Sequence, residues 1–309
     1  MDAALISNQS ICFNKDLISQ WLKFADVKSK SIETYNKAIR RFIVWLQENN
    51  IRAPTAEDIY RWRDSLNSEG KSAATINLYL TSCKLFFKFL SQQGLYNVDI
   101  SHIKGFKINT EHKRDALTAE QGKLVLNSFD TSTVEGLRNK AMTALMITCG
   151  LRTIEVIRAN VGDIDRSFGR TALYVQGKGR DQKAECVMLP KKVELLINNY
   201  LNSRNNLQND SPLFASISHR NFGGRLTTVA VSGIVKKAFR SVGLDSKRLT
   251  AHSLRHSAAT AMLLAGVDLV KVQQILRHKN VNTTLIYSHH LERLKNHGED
   301  SAADTFLDD

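Results

Sequence analysis

The sequence predicts a mainly α-helical protein of two domains, the second made α+β by one small β-hairpin. The chain has 309 residues, more than a single hydrophobic core commonly serves. Apolar residues recur at three- and four-residue steps through most of its length, which is the period of an amphipathic helix. In one stretch, after Asp165, the period changes to two, and TALYVQ and KAECVML read as strands around the turn GKGRDQ.

The first block of helices runs from about Asn14 to Gly94. Asn14 can cap a helix carrying Leu17, Ile18, Trp21 and Leu22, and Ser31 can start a second with Ile39, Phe42, Ile43 and Leu46 on one face. Thr55 and Asp58 have the spacing of a capping box for a third, through Ile59, Trp62 and Leu66. Gly70 and Ser72 separate it from a fourth, in which Ile76, Leu80, Cys83, Phe87 and Leu90 form a stripe that Gly94 ends. The expected unit is therefore a four-helix domain over residues 1–104.

From Asn97 to Ala116 no apolar period is visible, and Lys104, Lys107, Lys113 and Arg114 make the stretch basic. It reads as an extended linker, with residues 105–116 joining the domains. A second domain, expected over 117–297, opens at Thr118 with Gln121 three residues on, again a capping box. A long helix follows from about Val134, and Gly150 breaks it. Further helices are expected at about Lys191–Ser203 and Thr227–Val242, then from Ala251 to Gly266, then over LVKVQQIL behind an Asp268 cap. The last stretch, 298–309, contains five acidic residues and no basic one, and reads as a tail that is disordered or docks on a basic neighbour.

The net charge of +13 and a pI near 9.6 ask for an anionic partner, most simply nucleic acid. Residues 1–110 hold fifteen basic side chains against ten acidic ones, so their excess is modest. Arg40, Arg41, Lys71, Lys84 and Lys88 there are candidate DNA contacts, although such charges alone read as a solvated helix face. The amino terminus lacks the pattern of a signal peptide, and apolar runs such as AMLLAGV are too short to span a bilayer. The four cysteines are far apart and read as buried free thiols. A soluble cytoplasmic protein with no membrane partner is expected.

Chemistry concentrates between Ala251 and Tyr287. His252 and Arg255 are three apart at the start of a helix, His278 follows the next helix, and Tyr287 comes nine residues later. Upstream, Arg152 stands at the mouth of a helix with Glu155 three positions on, a spacing equally suited to a surface ion pair. Lys178 sits at the tip of the hairpin; GKG there lacks the spacing of a phosphate-cradling loop. Two arginines and two histidines can clamp a phosphodiester whose oxygens gain charge during in-line attack. Tyr287 is the candidate nucleophile, and Lys178 can act as general acid for the departing 5′ oxygen.

In their order and spacing these residues resemble the tyrosine recombinases of the phage-integrase family, with Xer-type and integron-type enzymes as relatives. Arg152 in GLRTIEV matches the family's first arginine and Glu155 its companion acid. Lys178 in QGKGR matches the hairpin lysine, His252 and Arg255 the H-x-x-R pair, His278 the second histidine, and Tyr287 in TTLIY the nucleophile. Arg277 departs from the pattern, because the family usually has glycine there, which eases a helix ending.

The resemblance implies a SAM-like core-binding domain followed by an α+β catalytic domain. It further implies cleavage through a 3′-phosphotyrosyl intermediate and rejoining to a partner strand, with no cofactor. The implied partners are double-stranded DNA sites, a homotetramer on two of them, and accessory directionality proteins; the implied place of work is the nucleoid. Packing of a C-terminal segment on a neighbouring subunit would fall to residues beyond Ser288, including Phe306 and Leu307.

Three other readings carry less. His252 and His256 are four apart as in zinc helices, but Ser253 stands where that motif needs glutamate, so no metal is expected and His256 reads as a supporting residue. A type IB topoisomerase would share the chemistry but not the helical first domain. A non-catalytic DNA-binding protein would not need every catalytic position filled.

Overall fold

The computed structural model describes residues 13–25, 29–108, 115–167, 169–177 and 182–277. The chain divides into two compact units, Met1–Glu111 and His112–Asp309.

Four helices build the first unit: α1 (Lys15–Phe24), α2 (Ser29–Glu48), α3 (Ala56–Ser68) and α4 (Ala73–Gln92). Asn14, Thr55 and Ser72 each accept a backbone N–H that the first turn would otherwise leave unpaired. Thr55 and Asp58 make the reciprocal box, whereas α2 starts at Ser29, two residues ahead of Ser31. The apolar stripes meet in an aromatic core, with Phe42 4.8 Å from Trp62 and Trp21 edge-on to Phe86 at 5.2 Å between ring centroids.

The stretch that reads as an extended linker from Asn97 is fastened to the first unit as far as Phe106. Tyr96, Ile100 and Ile103 are buried in the first unit's core, at irregular spacing because the backbone there is neither helix nor strand. Tyr96 donates its hydroxyl to the Pro54 carbonyl at 3.0 Å, and Lys84 donates to the Ser101 carbonyl at 2.8 Å. Asn77 binds both the N–H and the C=O of Phe106, and Arg63 lies over the Tyr60 and Phe106 rings. A Cβ at Gly105 would fall 2.0 Å from Asn77 Oδ1, so only glycine permits that clamp. The strap is fastened through Phe106, two residues past the expected end of the domain.

In the second unit α5 (Ala119–Asn127) opens with the Thr118–Gln121 box. Next come α6 (Val134–Cys149), α7 (Thr153–Arg158) and a sheet of β1 (Ile164–Asp165), β2 (Ala172–Val175) and β3 (Glu185–Met188). The sheet is antiparallel in the order β1-β2-β3, with Leu173 opposite Val187. The two-residue β1 is too short to show a period. After it α8 (Lys191–Asn202), α9 (Thr228–Ser241), α10 (Ala251–Leu264) and α11 (Leu269–Leu276) complete the described residues. Helix α6 packs against both α8 and α10 and is buried nearly all round, which explains its weak amphipathic pattern.

Cys83 and Cys149 are buried free thiols, as read from the sequence, but Cys186 is exposed because its place on β3 alternates with inward Val187. Cys12 lies outside the described residues. No helix among the described residues is long and apolar enough to cross a membrane.

Candidate active site

Three helix ends converge on the residues of interest. Helix α6 stops at Gly150 in the left-handed conformation (φ 64°), where a Cβ would lie 2.3 Å from Leu276 Cδ2 at the end of α11. Glycine there both accepts the backbone and lets the two helix ends approach. Beyond buried Leu151, Arg152 caps α7 from an extended backbone. Glu155 Oε2 accepts the Arg152 backbone N–H at 2.9 Å, and Oε1 accepts Nη1 of the guanidinium at 2.7 Å. The Glu155 side chain has no exposed surface while that of Arg152 keeps 26%. The pair is thus built into the interior with only the arginine reaching solvent, and the surface ion pair is set aside.

Arg255 leaves α10 for the same place and is buried to 1% exposure. Nη1 donates to the Gly150 carbonyl at 2.5 Å and Nη2 to the Leu276 carbonyl, so one guanidinium ties α6 to α11. Arg152 Nη2 donates to the next carbonyl, that of Arg277, at 3.1 Å. The carbonyl end of a helix carries partial negative charge, and here it holds two arginines side by side. His252 stays exposed at the first turn of α10, although it shares a face with buried Arg255. Its ring meets that of half-buried His256 edge-on, with centroids 4.8 Å apart.

Arg277 resolves the departure seen in the sequence. It ends α11 in the left-handed conformation (φ 56°, ψ 45°), so the glycine-type turn is kept without glycine. An L-residue there costs about 1 kcal/mol. Its side chain, 5% exposed, donates from Nη2 to Glu155 Oε2 at 2.8 Å and from Nη1 to the Ile275 carbonyl at 2.7 Å. Burial pushes the Glu155 carboxyl up, but the Arg277 charge, the Arg152 backbone N–H and the Arg152 charge together hold it below its ordinary value. Sequence reasoning missed Arg277 as a member of the site, and its only signal was that it replaces glycine.

Lys178, His278 and Tyr287 lie outside the described residues, as does the 298–309 tail. Both arms of the hairpin leading to Lys178 are anchored: Arg158 donates to the Gly177 carbonyl at 3.2 Å, and Lys183 pairs with Asp163 at 2.6 Å. In the first unit Arg40 and Lys88 are exposed, Arg40 donating to Asn36. Arg41 pairs with Glu69, and Lys71 lies 3.7 Å from the same carboxylate. Exposed pairs of this kind are worth about 0–1 kcal/mol, so a phosphate can displace them. Lys84, in contrast, already serves the strap.

Comparison with known proteins identifies the family. Residues 115–293 match the phage integrase family, and residues 20–94 match the phage integrase N-terminal SAM-like domain. The tyrosine recombinase XerD of Listeria monocytogenes serotype 4b (strain F2365) is 30% identical over 292 residues, covering 89% of this chain and 94% of its own. The tyrosine recombinase XerA of Pyrococcus horikoshii (strain OT-3) is 30% identical over 277 residues, covering 89% of each chain. Among solved structures, the XerH site-specific recombinase bound to palindromic difH substrate shares the fold, with a TM-score of 0.73 at 24% identity over 95% of this chain and 85% of that one. These matches lead to one assignment: the chain belongs to the phage integrase family of tyrosine recombinases, enzymes that break and rejoin DNA strands.

Proposed function

We propose that in this site-specific recombinase Tyr287 attacks the scissile phosphate, while Arg152, Arg255, His252 and His278 neutralise the charge that gathers on its non-bridging oxygens. The observation that supports this most directly is the meeting of Arg152 and Arg255 on consecutive carbonyls, those of Arg277 and Leu276, immediately before His278 in the chain. Carbonyl bonds fix each guanidinium plane in advance, and fixed donors stabilise a transition state without reorganising when charge develops. Each Nη also has a second N–H beyond the one given to a carbonyl.

Tyr287 gives its phenolic proton to solvent, displaces the 5′ oxygen and becomes joined to the 3′ phosphate, and Lys178 supplies the proton that the departing 5′ oxygen needs. The phosphotyrosyl ester conserves the bond, so a 5′ hydroxyl from a partner strand can reverse the step and release the tyrosine. Glu155 orients Arg152, and His256 supports His252 through the edge-on ring contact.

DNA is the partner, with Arg40, Arg41, Lys71 and Lys88 following the phosphate backbone and Lys84, while donating to the Ser101 carbonyl, adding its charge. The working assembly is a tetramer on two sites, with the 298–309 tail packed on a neighbouring subunit, accessory directionality proteins as further partners, and the nucleoid as the place of action. Lambda integrase, 17% identical and alike in fold, has been crystallised as a tetramer on a Holliday junction.

A suicide substrate nicked beside the scissile phosphate tests the chemistry. A covalent adduct that disappears in Tyr287→Phe is the expected result; site binding without any adduct would overturn it. Deleting 298–309 is expected to weaken pairing of two sites while single-site binding persists, and unchanged recombination would remove the tail from the scheme.

A further inference from the structure

We infer that Arg277 is a positioning residue of this active site, one that takes a share of the Glu155 carboxylate and so leaves the charge of Arg152 available to the scissile phosphate. The inference rests on the roles proposed above for Arg152 and Tyr287. Arg152 and Glu155 alone would cancel, and a glycine at 277 would leave them so. Here two guanidiniums face one carboxylate, Arg152 Nη1 on Oε1 at 2.7 Å and Arg277 Nη2 on Oε2 at 2.8 Å. The trio therefore keeps a net positive charge, and burial limits its screening by salt.

Arg277 also reaches Arg152 a second way. Its carbonyl accepts Arg152 Nη2 at 3.1 Å, so one residue holds that guanidinium through its backbone and through Glu155. An arginine in left-handed backbone is uncommon, and nearly complete burial of a guanidinium more so. Both occur here at once.

The neighbouring groups leave a clear readout. From α7 Glu155 faces Arg152, and from the end of α11 it faces Arg277. On α10, Arg255 is bound to the Gly150 and Leu276 carbonyls. On α6, burial pushes the Cys149 thiol up and keeps it neutral, against pulls from Thr148 and Arg277. Arginines do not lose their protons in the working range. Among these groups Glu155 alone titrates on the acid side.

Arg277→Gly keeps the left-handed turn and its carbonyl while removing the guanidinium, and Arg277→Lys keeps the charge with fewer donors. Cleavage of the nicked substrate by Arg277→Gly should fall roughly 10- to 100-fold, the worth of one charge-assisted hydrogen bond, with site affinity held. Its acid limb should move to higher pH, because Glu155 with one cation fewer is protonated more readily and then releases Arg152. Arg277→Lys should return the acid limb toward that of the parent. Acid unfolding of the protein without DNA should likewise begin at higher pH in Arg277→Gly than in the parent.

Parent-like cleavage with an unmoved acid limb in Arg277→Gly would overturn the inference, as would a lysine variant no better than glycine. A parent adduct that survives Tyr287→Phe would overturn the catalytic roles, and the inference with them.

Discussion

Glu155→Gln tests whether the centre of this site is electrostatic, because the change keeps shape and removes charge. The carboxylate has no exposed surface and accepts from Arg152 Nη1, the Arg152 backbone and Arg277 Nη2. Removing one partner of a buried ion pair typically costs about 3–5 kcal/mol, because the other charge stays buried. Arg277 must remain inside, but Arg152 is 26% exposed and can turn to water, so roughly 2–4 kcal/mol is expected. For a unit of this size that is a fall of about 5–15 °C in Tm.

The site of the loss can be read separately. Trp21, Trp45 and Trp62, the three tryptophans of the chain, all belong to the first unit. Their fluorescence transition should hold while the circular-dichroism transition of the second unit moves down.

The pH dependence has a definite sign. The folded carboxyl is held below its ordinary value, and unfolding returns it to that value. Its stabilisation is present above that unfolded value and is lost as pH falls through the folded value. The gap between parent and variant should therefore be full at neutral pH and close in acid. A gap that is absent, or undiminished in acid, would refute the electrostatic account.

Three further outcomes follow from the same contacts. Arg255→Lys cannot reach both the Gly150 and Leu276 carbonyls with a planar fork, so cleavage should drop about 10²–10³-fold with site affinity nearly kept; equal losses in a binding titration would argue against a transition-state role. Gly150→Ala meets both a left-handed backbone and a 2.3 Å approach to Leu276 Cδ2, and should lower stability by about 2–4 kcal/mol in thermal melts; a neutral result would show that the α6 and α11 ends can part freely. Lys178→Ala should slow cleavage of an ordinary 5′-oxygen substrate about 10²–10⁴-fold but spare one with a 5′-thio leaving group; equal slowing of both would remove the general-acid role.

Most of the helices were legible because their starts and faces are written in side chains. Asn14, Thr55, Thr118 and Asp268 all cap where their spacing suggested, and the Trp62 and Phe87 stripes all face inward. The strap from Tyr96 to Phe106 was not legible, since its buried residues follow no period and its fastening depends on Asn77 and Arg63, far away in sequence. The chemical residues stood out by type and spacing. Their arrangement did not, because the groups that join Arg152 to Arg255 are backbone carbonyls, which every residue has.

A side chain can turn independently of its neighbours, but carbonyls at the end of a helix move with the helix. Arg255 rests on the carbonyl of Leu276 and Arg152 on that of Arg277, and Leu276 is itself buried with Val272 against Ala259 of α10. A small apolar core therefore sets the distance between the two guanidiniums, which in the proposed mechanism act at one phosphate. Arg277 adds to this by fixing Glu155 from the same helix end, so the acid that orients Arg152 and the carbonyl that anchors it share one rigid origin. An unfavourable left-handed arginine is tolerable on these terms, because the contacts it makes act on the placement of charge, where a small displacement is felt steeply in rate.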